Sequence, residues 1–251
     1  MRKLIIVFLI AFVLFGCRSN TDKNHSAINK SAIDQPIKAL FIGNSYTYVN
    51  NLPSLLTQLA ASTSKPKTLE IQMVALGGAT LKTHWDNGNA LGVLKQGSWN
   101  YVVLQEQSML PIIEPEIMYH YARLFDAEIT KVGANTVFFL TWARQNTPET
   151  QRNLTDAYMS ITRQLDGVVA PVGIAWQKVH EEDANVILYD ADGSHPNLLG
   201  SYMAACVFYG ILYNESPVGS TSYKSLGISE SQASFIQRIA WQTVESVTVG
   251  Q

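Results

Sequence analysis

IKALFIGNSY, residues 37–46, runs from a short, nearly continuous apolar stretch straight into a Gly-Asn-Ser turn. A run this brief, without polar alternation, is the pattern of a strand buried on both faces of a parallel sheet, and here it delivers Ser45 to the turn that follows. Similar apolar, β-branched runs recur at 69–76, 101–104, 136–141 and 168–176. Between them lie helical patterns at 52–61, 80–85, 115–132 and 148–165, and two more follow at 196–213 and 229–247. Alternation of this kind predicts right-handed βαβ units and a three-layer α/β/α sandwich around a five-stranded parallel sheet.

In such sheets sites gather at the carboxyl ends of the strands. Ser45 follows the first strand, Gly77 and Gly78 the second, Gln105 to Gln107 the third, and Trp142 to Arg144 the fourth. DADGSHPN, residues 190–197, is expected in the loop after the fifth strand and before a helix, and carries Asp192 three residues ahead of His195. A serine hydroxyl is a poor nucleophile until an imidazole takes its proton, and the imidazole needs a third group to fix its tautomer and orientation. Ser45, His195 and Asp192 fit those three roles.

With these residues in this order, the chain from Ile37 to about Tyr213 resembles the SGNH, or GDSL-like, hydrolase superfamily. The resemblance implies a serine hydrolase of flavodoxin-like α/β architecture. Ser45 would be the nucleophile and would offer its backbone N–H to the oxyanion, with Gly77 or Gly78 offering another. Asp192 and His195 would complete the triad. The chain departs from the family pattern twice. Asn44 stands where many members carry Asp, and the third block reads LQEQS instead of Gly-x-Asn-Asp. A glutamine amide can serve as the oxyanion donor in place of asparagine. Gln105 is the favoured donor and Gln107 the alternative. Branches acting on carbohydrate esters also place Gln before Glu here.

Other positions point to substrate contacts. Asn44 and Tyr46 flank the nucleophile, and His84 follows the double glycine by about a turn. Trp142 beside Arg144 suits stacking on a sugar ring or binding an anionic group. The five histidines show no metal-ligand spacing, and no phosphate-cradling glycine loop is present, so neither metal nor cofactor is expected.

Composition bounds the reading. At 251 residues and 47% hydrophobic, the chain is long enough for one large core. A formal charge of −2 and a pI near 6.2 leave no electrostatic footprint for nucleic acid. Arg2 and Lys3 precede an apolar stretch at 4–15, the length of an export-signal core and short for a bilayer span. It closes on Leu14, Phe15, Gly16 and Cys17, which resembles the bacterial lipobox, with Phe15 bulkier than is usual there. A signal peptide at 1–16, lipidation of Cys17, a polar tether at 17–36 and a hydrolase domain at 37–251 are therefore expected. The expected partners are the membrane, through that anchor, and a small-molecule or carbohydrate ester substrate. Cys206, in an apolar helical pattern, is expected to be a buried thiol without a disulfide.

The expectation is an exported, envelope-anchored serine esterase that removes a short acyl group, acetyl by preference, from a carbohydrate. A lysophospholipase or thioesterase of the same superfamily, and a glycan-binding lipoprotein without activity, are the alternatives.

Overall fold

The computed structural model describes residues 35–248; the expected signal segment at 1–16, Cys17 and nearly all of the tether lie outside the described residues. Five strands, β1 (Ile37–Gly43), β2 (Leu69–Ala75), β3 (Tyr101–Leu104), β4 (Asn135–Phe139) and β5 (Val168–Ala170), form one sheet in the order β2-β1-β3-β4-β5. Every pairing is parallel, with Phe41 opposite Met73 on one side and Val103 on the other. The chain leaves β1 toward β2 and returns to pair β3 on the opposite side. The loops after β1 and β3 therefore diverge at a topological switch point, where a crevice opens.

Side chains alternate across the sheet with the strand period of two, and both faces are covered. Ala39, Phe41, Val103, Val137 and Phe139 face one core, packed by α2 (Leu52–Ala61), α8 (Val172–Glu182) and α9 (Leu198–Tyr213). Leu40, Ile42, Val102, Leu104 and Phe138 face the other, covered by α3 (Leu81–Asn87), α4 (Asn89–Gln96), α6 (Pro115–Lys131) and α7 (Gln151–Gln164). Burying each Leu, Ile or Phe is worth roughly 1.5–3 kcal/mol. Helix α9 is apolar all round because α2 and α8 flank it and α10 (Glu230–Thr248) packs against it. Cys206 on α9 is a fully buried free thiol, and burial pushes its pKa up. Among the described residues no helix is long and apolar enough to cross a membrane.

The structure corrects several expected elements. The run at 168–176 is not one strand. It stops at Ala170, and Pro171, which has no N–H to give a ladder, begins α8. Val172, Ala175, Trp176 and Val179 are its buried apolar side chains, at the i, i+3, i+4, i+7 spacing of a helical stripe. His195 consequently follows α8 and a loop, not the fifth strand directly. Helix α4 was not foreseen, and β4 lies at 135–139, ending two residues before the expected 141. Strand β2 is an edge strand rather than a buried one, with Met73 37% exposed.

Candidate active site

The turn after β1 is built to hold one serine. A Cβ on Gly43 would lie 2.5 Å from Thr47 Oγ1 and 2.6 Å from Gln105 Oε1, so only glycine lets these groups close on the backbone. Gln105 Oε1 accepts from Asn44 N at 2.8 Å and from Thr47 Oγ1 at 3.0 Å. Asn44 caps the short helix α1 (Ser45–Tyr48) by accepting from Tyr46 N at 3.1 Å, and its amide donates to Ala79 O at 3.0 Å, tying the turn to the loop after β2. From below, His84 Nε2 donates to Gly43 O at 2.7 Å, and burial pushes the pKa of this imidazole down.

The partner loop is equally constrained. Asp192 Oδ1 accepts from Ser194 N and His195 N, both at 2.9 Å, while Oδ2 pairs with His195 Nδ1. Hydrogen bonding, chiefly from His195 and then from the two backbone amides, holds the Asp192 carboxyl down at about 2. An ionised carboxylate at Nδ1 keeps the proton there, so Nε2 is left as the acceptor. That nitrogen lies 2.8 Å from Ser45 Oγ. Asp190 N donates to His195 O at 2.8 Å and Gln145 N to Gly193 O at 2.8 Å, fixing the loop at its neck and along its flank. Beneath it, Trp142 Nε1 donates to Ser194 O at 3.0 Å. The Trp142 ring is stacked between Tyr46, at 4.6 Å, and Trp176, at 4.1 Å.

Ser45 and His195 open on a cleft of about 210 Å³, with Tyr46, Gly78, Gln107 and Arg144 among its walls. Of the two glycines, Gly78 lines the cleft. It occupies the third position of a turn closed by Ala79 N to Leu76 O at 3.1 Å, with φ +68, where a side chain would be strained. Gln107 Oε1 accepts from Met109 N at 2.7 Å and Leu110 N at 3.0 Å, at the start of α5 (Leu110–Ile113). Both lone-pair directions of Oε1 are taken, so the –NH₂ group is the end of the amide left free.

The favoured donor, Gln105, is displaced by this geometry. It is fully buried, its oxygen grips the β1 turn, and its amide nitrogen donates to Glu106 O. His84 and Trp142 are each 1% exposed and support the turn and the loop from behind, so neither forms a cleft wall as expected. Asn44 touches the cleft but spends its side chain on capping. Tyr46 and Arg144 do line it, and the Tyr46 hydroxyl lies 2.7 Å from Ser194 Oγ. Ser108 and Ser194 are wall residues that the sequence did not single out, although both lie inside the quoted motifs. Glu106, between the glutamines, is 1% exposed and accepts from Gln107 N at 2.6 Å and Leu81 N at 3.2 Å, with burial raising it to about 7.

No protein-family model matches the sequence, and no curated protein matches it. Solved structures do. A protein of Slackia heliotrinireducens assigned to the SGNH hydrolases is 24% identical, with a TM-score of 0.62 over 71% of this chain and all of its own. A DUF4886 family protein of Bacteroides uniformis is 19% identical, with a TM-score of 0.65 over 84% of this chain and 95% of its own. An acetyl xylan esterase is 12% identical, with a TM-score of 0.59 over 70% of this chain and 100% of its own. By these likenesses the chain has the fold of the SGNH, or GDSL-like, hydrolases.

Proposed function

We propose that the protein is a serine esterase that removes a short acyl group from a carbohydrate through an acyl-enzyme. The observation that carries the reading is the 2.8 Å approach of His195 Nε2 to Ser45 Oγ, with Asp192 on the opposite ring nitrogen. His195 takes the hydroxyl proton as Ser45 Oγ attacks the ester carbonyl, and the imidazolium that forms is stabilised by ionised Asp192. The tetrahedral oxyanion is held by the backbone N–H of Ser45 and Gly78 and by the Gln107 amide. His195 then protonates the leaving alcohol, and a water activated by the same nitrogen hydrolyses the acyl-Ser45 ester.

The size of the cleft, about 210 Å³, favours a short acyl group over a long chain. Its polar walls, Gln107, Ser108 and Ser194, support a hydroxylated alcohol part. The likeness to an acetyl xylan esterase supports the same substrate class. Initial rates on a chain-length series of 4-nitrophenyl esters test the reading: the acetyl ester is expected to turn over fastest, and Ser45→Ala to abolish the reaction. A preference for long chains would favour the lysophospholipase or thioesterase alternative. Absence of hydrolysis, or hydrolysis indifferent to Ser45→Ala, would favour the glycan-binding one.

The export signal belongs to the same proposal. Arg2, Lys3, the apolar stretch at 4–15 and Cys17 support cleavage before Cys17, lipidation of that residue and retention at the bacterial envelope. Loss of Arg2 and Lys3 would take the formal charge from −2 to −4.

A further inference from the structure

Arg144 is the one side chain among the described cleft residues that carries a fixed charge. Its Nη2 donates to Ser108 Oγ at 3.2 Å, and its Nε is buried without an acceptor. No carboxylate among the described residues pairs with it. Glu106 turns its oxygens to Leu81 N and Gln107 N, and Asp192 turns its own to His195 and Ser194. A half-buried guanidinium facing no anion is costly to desolvate unless a ligand supplies the counter-charge.

The residue is also held still. Ala143 N, just before it, donates to Gln151 Oε1 at 2.7 Å, and Gln145 N, just after it, donates to Gly193 O at 2.8 Å. Arg144 is thus anchored on one side to α7 and on the other to the loop that carries His195. A planar, pre-positioned fork of N–H donors with no protein acceptor on most of them matches a carboxylate in geometry and charge.

From this we infer that the substrate carries a carboxylate on the same sugar ring as the scissile ester, as an acetylated uronic acid does, and that Arg144 binds it. The inference rests on the esterase reading for the ester and on Arg144 alone for the charge. Ser45, His195 and Arg144 line the same cleft of about 210 Å³, which favours the two groups on one ring. An acetyl group has no place for a carboxylate, which assigns the charge to the alcohol part.

The test measures binding and turnover separately. Glucuronate and glucose are titrated by calorimetry into the full protein, its Ser45→Ala form, and the Arg144→Gln, Arg144→Lys and Ser108→Ala variants, and both are assayed as inhibitors of 4-nitrophenyl acetate hydrolysis. Glucuronate is expected to bind wild type about ten- to a hundredfold tighter than glucose, the range of a charge-assisted hydrogen-bonded pair. Arg144→Gln is expected to abolish the preference, Arg144→Lys to retain part of it, and Ser108→Ala to weaken it. Equal binding of the two sugars to wild type, no binding of glucuronate, or a preference that survives Arg144→Gln would overturn the inference. The wild-type comparison decides even if a variant misfolds. Glucuronate preference without any hydrolysis would defeat the esterase reading and leave Arg144's role standing, whereas hydrolysis without the preference would do the reverse.

Discussion

Ser45 depends on groups that lie far from it in sequence and close to it in space. Its hydroxyl faces His195, 150 positions away, and the turn that carries it is gripped by Gln105 through Asn44 N and Thr47 Oγ1. The two glutamines of the LQEQS block therefore separate in role, and mutation separates them in effect. Gln107→Ala is expected to lower kcat by about 10²–10³, as loss of one oxyanion donor does, with thermal stability nearly unchanged. Gln105→Ala leaves Asn44 N buried without a partner and is expected to cost about 1–3 kcal/mol of folding stability, read by denaturant unfolding. Equal kcat losses with no stability difference would contradict the assignment. Ser45, Asp192 and His195 were legible in the sequence because the chemistry demands those residue types and an i, i+3 spacing in one loop lets a carboxylate reach its own histidine. Which glutamine faces the cleft was not legible. Beyond Leu104 the chain leaves the strand period, and the side-chain directions are set by Glu106 accepting from Gln107 N, a contact that no spacing announces.

Elements were legible where one period dominated and not where two patterns shared a run. At 168–176 three strand residues and the first turn of α8 are both apolar, and only Pro171 marks the join. Placing the site survived that error because the loop at 190–195 returns to the same sheet edge by way of Trp142 and Gln145. Glu106 connects two elements in its turn: its carboxyl fastens the start of α3, at Leu81 N, to the end of β3. Burial raises it to about 7 from an ordinary value of 4.5, so the folded state binds this proton more tightly than the unfolded chain does. Its contribution to stability is complete below the ordinary value and is lost as pH rises through about 7. Glu106→Gln keeps an acceptor for both amides and removes the charge. Melting temperatures of wild type and variant are expected to agree near pH 4.5 and to diverge by a few degrees at pH 8, with the variant higher. Parallel melting curves across that range would show that Glu106 is not held neutral.

At the scale of the molecule, the three layers and the five-stranded parallel sheet were legible because each strand reads as an apolar run and each crossover as a helix. The exposed edge at β2 was not, since an edge strand and a central one differ in neighbours more than in composition. Whether the domain is tethered is a separate matter, decided by Cys17. In a bacterial host supplied with labelled palmitate, the full chain is expected to take up label and sediment with membranes. Cys17→Ser is expected to do neither, and label retained in the variant would refute the anchor. The central claim, that the strand-end geometry makes Ser45 a nucleophile, is tested most directly by intact-mass analysis after treatment with a fluorophosphonate. A single adduct on Ser45, absent from Ser45→Ala and formed far more slowly in His195→Ala, is the predicted result. A protein that stays unmodified, or that is modified equally without Ser45, would contradict it.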